Sequence, residues 1–315
     1  MAEPILTVKD LRKRFGDFEA VQGVSFCMVR GEIFSLLGPN GAGKTTAISM
    51  LSTLLRPSSG KVVVNGRSLL TDPQAAKQAI GVVPQEIALY DALSARQNLH
   101  FWGRMYGMGG GALKERVEEV LTQVDLRDRA DDRVGSYSGG MKRRINIAAG
   151  LLHKPQLLFM DEPTVGIDPQ SRRRILDMVL ELRDQGMTVL YTTHYMEEAE
   201  ELSDRVGIMD HGKLIALGTQ KELTRLVGQQ ETLRLHFGEG QLMNGEAALF
   251  EGVDGVLQVT TLADELVLGV TETTAVLPDV VAIANAHNLR IRSVDIAEPN
   301  LEAVFLHLTG RALRD

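Results

Sequence analysis

The eight residues Gly38-Pro-Asn-Gly-Ala-Gly-Lys-Thr45 constrain this chain more than any others. They have the spacing Gly-x4-Gly-Lys-Thr and stand between an apolar run, Ile33–Leu37, and a helical stretch that begins at Lys44. Glycines at 38, 41 and 43 let successive backbone N–H groups turn inward around phosphate oxygens, and the helix N-terminus adds a positive dipole end. Lys44 can then reach β- and γ-phosphates, the Thr45 hydroxyl can ligate Mg²⁺, and Thr46 can contact an α-phosphate. A Gly-rich turn that happens to precede a helix is the bland alternative, and the strand–loop–helix context opposes it.

A phosphate loop needs a second element to hold a metal and a water. Leu157-Leu-Phe-Met-Asp161-Glu162 reads as a buried strand that ends in two carboxylates. Successive strand side chains point to opposite sides, so the two acids take different tasks. Asp161 is expected to face Mg²⁺, and Glu162 to polarise the attacking water. An Asp-Glu pair alone is usually solvated surface. At the end of a core strand, in a chain with a phosphate loop, it is usually catalytic.

Strands Ile5–Val8, Val21–Val29 and Ile33–Leu37 open the chain, and the first helix runs from Lys44 to about Leu55, closed by Pro57-Ser-Ser-Gly60. Lys61–Val64 with the Asn65-Gly66 turn predicts an edge hairpin. Helix is expected from about Leu93 to Val124, broken at Gly107–Gly111, then again from Gly139 and over Ser171–Gln185, with a core strand at Thr188–Thr192. Such alternation predicts a parallel sheet covered by helices. The composition shifts near Leu226. Beyond it, strands at Leu233–Phe237, Leu257–Val259 and Leu266–Val270, a helix at Ala275–Ala286, a strand at Ile291–Ile296 and a helix after Asn300 make a small unit over 225–315. In that last helix Leu301, Val304, Phe305 and Leu308 form one apolar stripe, expected to pack on the unit's own sheet.

Of the 315 residues, 44% are hydrophobic and 24% charged, as in an ordinary soluble globular protein. The formal net charge of -7 is carried wholly by the segment from Arg225 onward, with 6 Lys and Arg against 13 Asp and Glu. That acidic segment argues against nucleic acid as a partner. No apolar run reaches the length of a bilayer span, and the start Met1-Ala-Glu-Pro-Ile-Leu has no secretory pattern, so a cytoplasmic protein is expected. The lone Cys27 excludes an internal disulfide, suits a reducing compartment, and reads as a small core residue between apolar neighbours.

Phosphate loops occur in several unrelated motors and switches, and four further stretches narrow the choice. Tyr137-Ser-Gly-Gly-Met141 resembles the Leu-Ser-Gly-Gly-Gln signature of the ATP-binding-cassette (ABC) family. Gln85, in Val82-Val-Pro-Gln-Glu86, resembles its Q-loop glutamine, Gly166-Ile-Asp168-Pro its D-loop, and His194, in Thr192-Thr-His-Tyr195, its switch histidine. Met141 and Tyr137 depart from the commonest wording, whereas the phosphate-binding Ser138, Gly139 and Gly140 are intact.

The resemblance implies an α/β P-loop NTPase core over 1–224: a mixed sheet with helices, an antiparallel β subdomain and a helical subdomain at about 86–155. A small α+β domain over 225–315 completes the chain. It implies a head-to-tail dimer, of two copies or with a paralogous ATPase. In it ATP lies between Gly38, Pro39, Asn40, Gly41, Ala42, Gly43, Lys44, Thr45 and Thr46 of one subunit and Ser138, Gly139 and Gly140 of the other. Asp168 communicates across the seam. Glu162, His194, Lys44 and Gln85 are the implied catalytic set, with Thr45, Gln85 and Asp161 at Mg²⁺. Phe15, or more weakly Phe18, is the implied adenine-stacking aromatic. The longer wording resembles the drug- and antibiotic-export branch, whose ATPases work with a separate ABC-2-type permease at the inner face of the membrane. A soluble cassette ATPase acting on ribosomes or DNA is the alternative. Its usual second cassette or coiled-coil insertion is missing here, and intact Lys44, Asp161 and Glu162 oppose a non-hydrolysing scaffold. Tyr90, Phe101 and Trp102 are expected near the permease groove, with Trp102 otherwise core. Lys142-Arg-Arg144 reads as a partly solvated helix face, and the remaining histidines carry no metal-ligand spacing.

Overall fold

The computed structural model describes residues 3–226, 231–237, 247–262, 265–297 and 300–310. The chain divides into two compact units, Met1–Leu217 and Gly218–Asp315.

In the first unit β1 (Pro4–Phe15) and β2 (Phe18–Val29) form a long hairpin. Then come β3 (Ile33–Leu37), α1 (Lys44–Leu51), β4 (Ser59–Val64), β5 (Arg67–Ser68), α2 (Pro73–Gln78) and β6 (Ile80–Val83). The middle holds α3 (Ala95–Met105), α4 (Gly110–Gln123) and α5 (Gly139–Leu151). After these follow β7 (Leu157–Asp161), α6 (Pro169–Asp184), β8 (Thr188–Thr193), α7 (Met196–Leu202), β9 (Arg205–Asp210) and β10 (Lys213–Gly218).

The central sheet has the order β10-β9-β3-β8-β7-β6, with β9, β3, β8, β7 and β6 mutually parallel. Every residue of β3, β7 and β8 is buried. That is why these strands read as unbroken apolar runs: helices cover both faces of a parallel sheet. A separate antiparallel sheet, β2-β1-β4-β5, packs Val8, Leu11, Val24, Phe26 and Met28 into a core with Phe34 and Leu36 of β3. The β4–β5 turn places Asn65 at φ 48° and Gly66 at φ 73°, as the hairpin reading of Asn-Gly requires. Helices α3, α4 and α5 pack together through Leu99, Leu113, Val117, Val120, Leu121 and Ile145.

Three expectations change. The first helix ends at Leu51 and not near Leu55, because Thr53 adopts φ 64° and the Leu55 N–H returns to the Ser49 carbonyl. Helix α6 begins two residues earlier than expected, with Pro169 at its first position, where a fixed φ suits helix initiation. Cys27 is exposed: on β2 the alternation turns Phe26 and Met28 inward and Ser25 and Cys27 outward.

The second unit opens with α8 (Gln220–Thr224), followed by β11 (Glu231–Phe237), α9 (Ala248–Glu251), β12 (Val256–Leu262), β13 (Glu265–Val270), α10 (Thr273–Ala286), β14 (Ile291–Ala297) and α11 (Leu301–Thr309). Its division from the first unit falls at Gly218, ahead of residue 225, because α8 packs against α11. The sheet has the order β12-β13-β11-β14 and is antiparallel throughout. Leu233, Leu235, Phe237, Leu266, Leu268 and Val270 face Val276, Val280 and Ala284 of α10. Arg234 of β11 pairs with Glu302 of α11, Leu301, Val304 and Phe305 of that helix are buried, and Leu308 is exposed.

Candidate active site

Strand β3 delivers the chain into the loop Gly38–Gly43, and two glycines there have no substitute. A Cβ on Gly38 would lie 2.2 Å from the Met209 carbonyl oxygen. Gly43 sits at φ 101°, where a Cβ would come within 2.6 Å of the Ala20 carbonyl. Lys44 follows as the first residue of α1. Its buried ammonium donates to the carbonyls of Gly38 at 2.6 Å and Pro39 at 3.1 Å, and lies 3.0 Å from Glu162 Oε1.

Strand β7 brings both carboxylates to the same place. Asp161 Oδ1 accepts from Thr45 Oγ1 at 3.3 Å and from Thr192 Oγ1 of β8 at 2.7 Å. The Thr192 hydroxyl also accepts from the Glu162 N–H at 2.9 Å, so one side chain fixes both acids. Burial, with the neighbouring Glu162 charge, raises the Asp161 pKa, while the hydroxyls of Thr192 and Thr45 and the Lys44 ammonium oppose the shift. Glu162 leaves the strand at φ 43°, a left-handed conformation uncommon for a side chain of its size. Its Oε2 lies 3.5 Å from Gln85 Nε2 and 3.4 Å from His194 Nδ1, a buried nitrogen with no hydrogen bond.

These groups border a cleft of about 270 Å³ lined by Phe18, Ala20, Asn40, Gly41, Gly43, Lys44, Thr45, Thr46, Gln85 and Glu162. The structure thus gathers the loop, Lys44, Thr45, Thr46, Gln85, Asp161, Glu162 and His194. Phe15 pairs with Phe18 across the β1–β2 hairpin and is half exposed, beneath the Lys13 ammonium and outside the cleft lining. Ser138 and Gly139 are exposed and line none of it. Ser138 caps α5 by accepting from the Met141 N–H at 3.2 Å, and Gly140 is kept bare by Ser171 Oγ, 2.1 Å from where a Cβ would stand. Asp168 caps α6 by accepting from the Ser171 N–H at 2.9 Å.

Sequence reasoning missed two supports. One is Thr192. The other is Arg143, which is buried and not solvated as the run Lys142-Arg-Arg144 suggested. Its guanidinium donates to the carbonyls of Pro84 at 2.8 Å and Gln85 at 2.6 Å, fixing the segment that carries Gln85. Helical spacing from Gly140 through Arg143 to Ile147, all buried on α5, is the signal that could have found it. Trp102 is partly buried, and its indole N–H donates to the Ala88 carbonyl at 3.0 Å.

Residues 21–165 match the family described as ABC transporter. The linearmycin resistance ATP-binding protein LnrL of Bacillus subtilis (strain 168) is 47% identical over 313 residues, covering 99% of this chain and 100% of that protein. The chain belongs to the ABC transporter family. The daunorubicin resistance ATP-binding protein DrrA3 of Streptomyces coeruleorubidus is 40% identical over 310 residues, covering 98% of this chain and 97% of that one. A solved structure titled as the ATP binding subunit of an ABC transporter superposes with a TM-score of 0.64 at 30% identity, over 71% of this chain and 93% of that one. The protein is therefore an ABC transporter's ATP-binding and ATP-hydrolysing subunit, and the cleft at Lys44 brings its phosphate loop together with Gln85 and Glu162. No helix among the described residues of this ABC subunit is long and apolar enough to cross a membrane.

Proposed function

We propose that this ATPase powers a separate ABC-2-type permease that exports drugs, antibiotics or other hydrophobic compounds, from the cytoplasmic face of the membrane. Support comes from the resistance proteins it resembles along nearly its whole length. The ATP site is completed by a second copy of the chain or by a paralogous ATPase. One observation carries that reading: Ser138 and Gly139, at the N-terminus of α5, are exposed and turned to none of the chain's own cleft. Their amides are placed to take phosphate from a nucleotide held in a second subunit's cleft.

Within this frame Lys44 and the amides of Gly38–Gly43 take the phosphates, and Thr46 the α-phosphate. Glu162 orients the attacking water, His194 contacts the γ-phosphate, and Asp168 communicates across the seam. Adenine stacks on Phe18, which lines the cleft, with Phe15 the second candidate. The oxygens of Thr45, Asp161 and Gln85 are hard donors suited to Mg²⁺, and a cation beside Asp161 would favour the carboxylate that burial disfavours. When bound, Mg²⁺ supplies charge neutralisation at the β- and γ-phosphate oxygens. The edge-to-face cluster Tyr90–Phe101–Trp102 beside the Gln85 segment is the proposed permease contact.

Mixing subunits tests the composite site. Lys44→Ala and Ser138→Arg homodimers should each be nearly inactive, whereas their mixture places both lesions in one site, leaves the other whole and regains turnover. Full activity of Ser138→Arg alone overturns the model. A pull-down from membranes should retain a hydrophobic subunit, and charge substitutions at Tyr90 or Phe101 should release it while basal hydrolysis continues.

A further inference from the structure

The carboxylate of Glu198 takes no part in the phosphate chemistry above, yet four side chains converge on it. Glu198 is 2% exposed. Its Oε1 accepts from Thr164 Oγ1 at 2.7 Å and has Arg172 Nε at 3.6 Å. Its Oε2 accepts from Thr193 Oγ1 at 2.8 Å and from the Tyr191 hydroxyl at 3.0 Å. Burial, and then the Glu198 charge, hold the Tyr191 phenol well above its usual range, so that hydroxyl stays a donor. A carboxylate has about four acceptor sites; three hydroxyls use three of them here, and the Arg172 guanidinium adds its charge from 3.6 Å.

Two of these contacts lead to the site. The Thr193 hydroxyl that donates to Glu198 also accepts from the Tyr195 N–H at 2.9 Å, so one oxygen pins the chain on both sides of His194. From the other side the Arg172 guanidinium lies 4.2 Å from the centre of the Tyr195 ring. Thr164, in turn, belongs to the turn that leaves Glu162. The Glu162 carbonyl accepts from the Val165 N–H at 3.3 Å and the Thr164 carbonyl from the Ile167 N–H at 3.2 Å, just before Asp168. An apolar side chain of equal volume would fill this space without setting the direction of any hydroxyl. A buried carboxylate is costly unless such donors surround it.

We infer that Glu198 is a positioning residue for ATP hydrolysis: it locks the Thr164–Asp168 turn and the Thr193–Tyr195 turn to each other, and through Thr193 it sets the direction in which His194 meets the γ-phosphate. This rests on the proposed role of His194.

Phosphate release and ATP affinity are measured on the full chain carrying Glu198→Gln, Thr193→Val or His194→Ala, and on the two combinations with His194→Ala. Glu198→Gln keeps the shape but loses the charge and one acceptor oxygen. It and Thr193→Val should each lower kcat about tenfold while the Kd for ATP moves less than about twofold, the scale of a misplaced catalytic group. In the His194→Ala background the same changes should lower the residual rate less than about twofold, because their effect passes through His194. Thr193→Val, which exchanges one hydroxyl for a methyl, carries the test if Glu198→Gln does not fold. A purely structural carboxylate would lower kcat equally in both backgrounds, or only in proportion to the folded fraction, and either result overturns the inference. If His194→Ala is slow and both partner variants run at the wild-type rate, the inference alone falls. If His194→Ala itself runs at the wild-type rate, the reading of His194 falls and this inference with it.

Discussion

Residues 1–217 and 218–315 bury different kinds of side chain, and the difference separates chemistry from packing. The first unit keeps Lys44, Arg143, Asp161, Glu162, His194 and Glu198 out of water, whereas the buried polar side chains described in the second are Thr232 and Thr273. Withdrawing an ionisable group from solvent is unfavourable unless partners surround it. In the first unit those partners exist and belong to one another: Lys44 faces Glu162, Thr192 bridges Asp161 and the Glu162 amide, and Arg143 grips the Gln85 segment. The second unit solves the ordinary problem of covering a sheet, with Leu233, Leu235 and Leu268 against α10. Where both units follow the same packing rules, the excess of buried charge marks the part that works on a substrate.

The strongest test of this contrast removes one buried charge from the first unit. Glu162→Gln should lower turnover by about two to four orders of magnitude, the range for loss of a general base, while ATP affinity persists. Phosphate release at saturating ATP and a fluorescent-nucleotide titration measure the two. A wild-type rate would dissolve the contrast at its centre. The matching change in the second unit is Leu268→Ala, which should reduce that unit's unfolding stability by about 2–5 kcal/mol and leave kcat of the folded protein within about twofold. Denaturant unfolding followed by activity at low denaturant checks it, and a slowed but folded variant would tie that core to turnover. Arg143→Lys keeps the charge and loses the fork that holds two carbonyls, so turnover should fall about tenfold through Gln85. An unchanged rate would make Arg143 mere filling.

The smallest effect lies at the surface. The Ser171 amide holds the Asp168 carboxyl below its usual range. A depressed carboxyl contributes stability above its unfolded pKa of about 4, and that contribution is lost as pH falls through the lower folded value. Asn also caps helices well, so Asp168→Asn should leave neutral-pH stability nearly unchanged and make the acid-side loss slightly shallower. Acid titration followed by circular dichroism would show it, and an unaltered acid limb would remove the cap from the account.

Legibility in the sequence followed the range of the interaction. The loop at Gly38–Thr45 and the Asp161-Glu162 strand end are local: glycine spacing and one apolar run suffice to read them. Cys27 was readable and misjudged, since alternation along Val24-Ser-Phe-Cys-Met28 already turns it outward. Arg143 sits in a basic triplet whose bland reading is solvent; helical spacing can place it on the buried face, but the carbonyls of Pro84 and Gln85 that satisfy it lie nearly sixty residues away in sequence. Strand β6, short and interrupted by Gly81, was not foreseen. That glycine is needed because a Cβ would lie 2.4 Å from the Gly150 carbonyl of α5, a contact no local pattern announces. Glu198 gathers partners from β8, from α6 and from the turn after β7, and in sequence it looks like one more acid in Met196-Glu-Glu-Ala-Glu-Glu.

The pair formed by Lys44 and Glu162 makes the cleft behave as an ion exchanger already loaded with its own counter-ion. A polyphosphate does not simply add to the lysine; it must outcompete a carboxylate held 3.0 Å away. The same displacement that seats the ligand sets the carboxylate free beside His194. On the proposed role of Glu162, nucleophile orientation is thereby tied to occupancy: a bare nucleoside, with nothing to offer the ammonium, leaves the exchanger loaded and the water unattended.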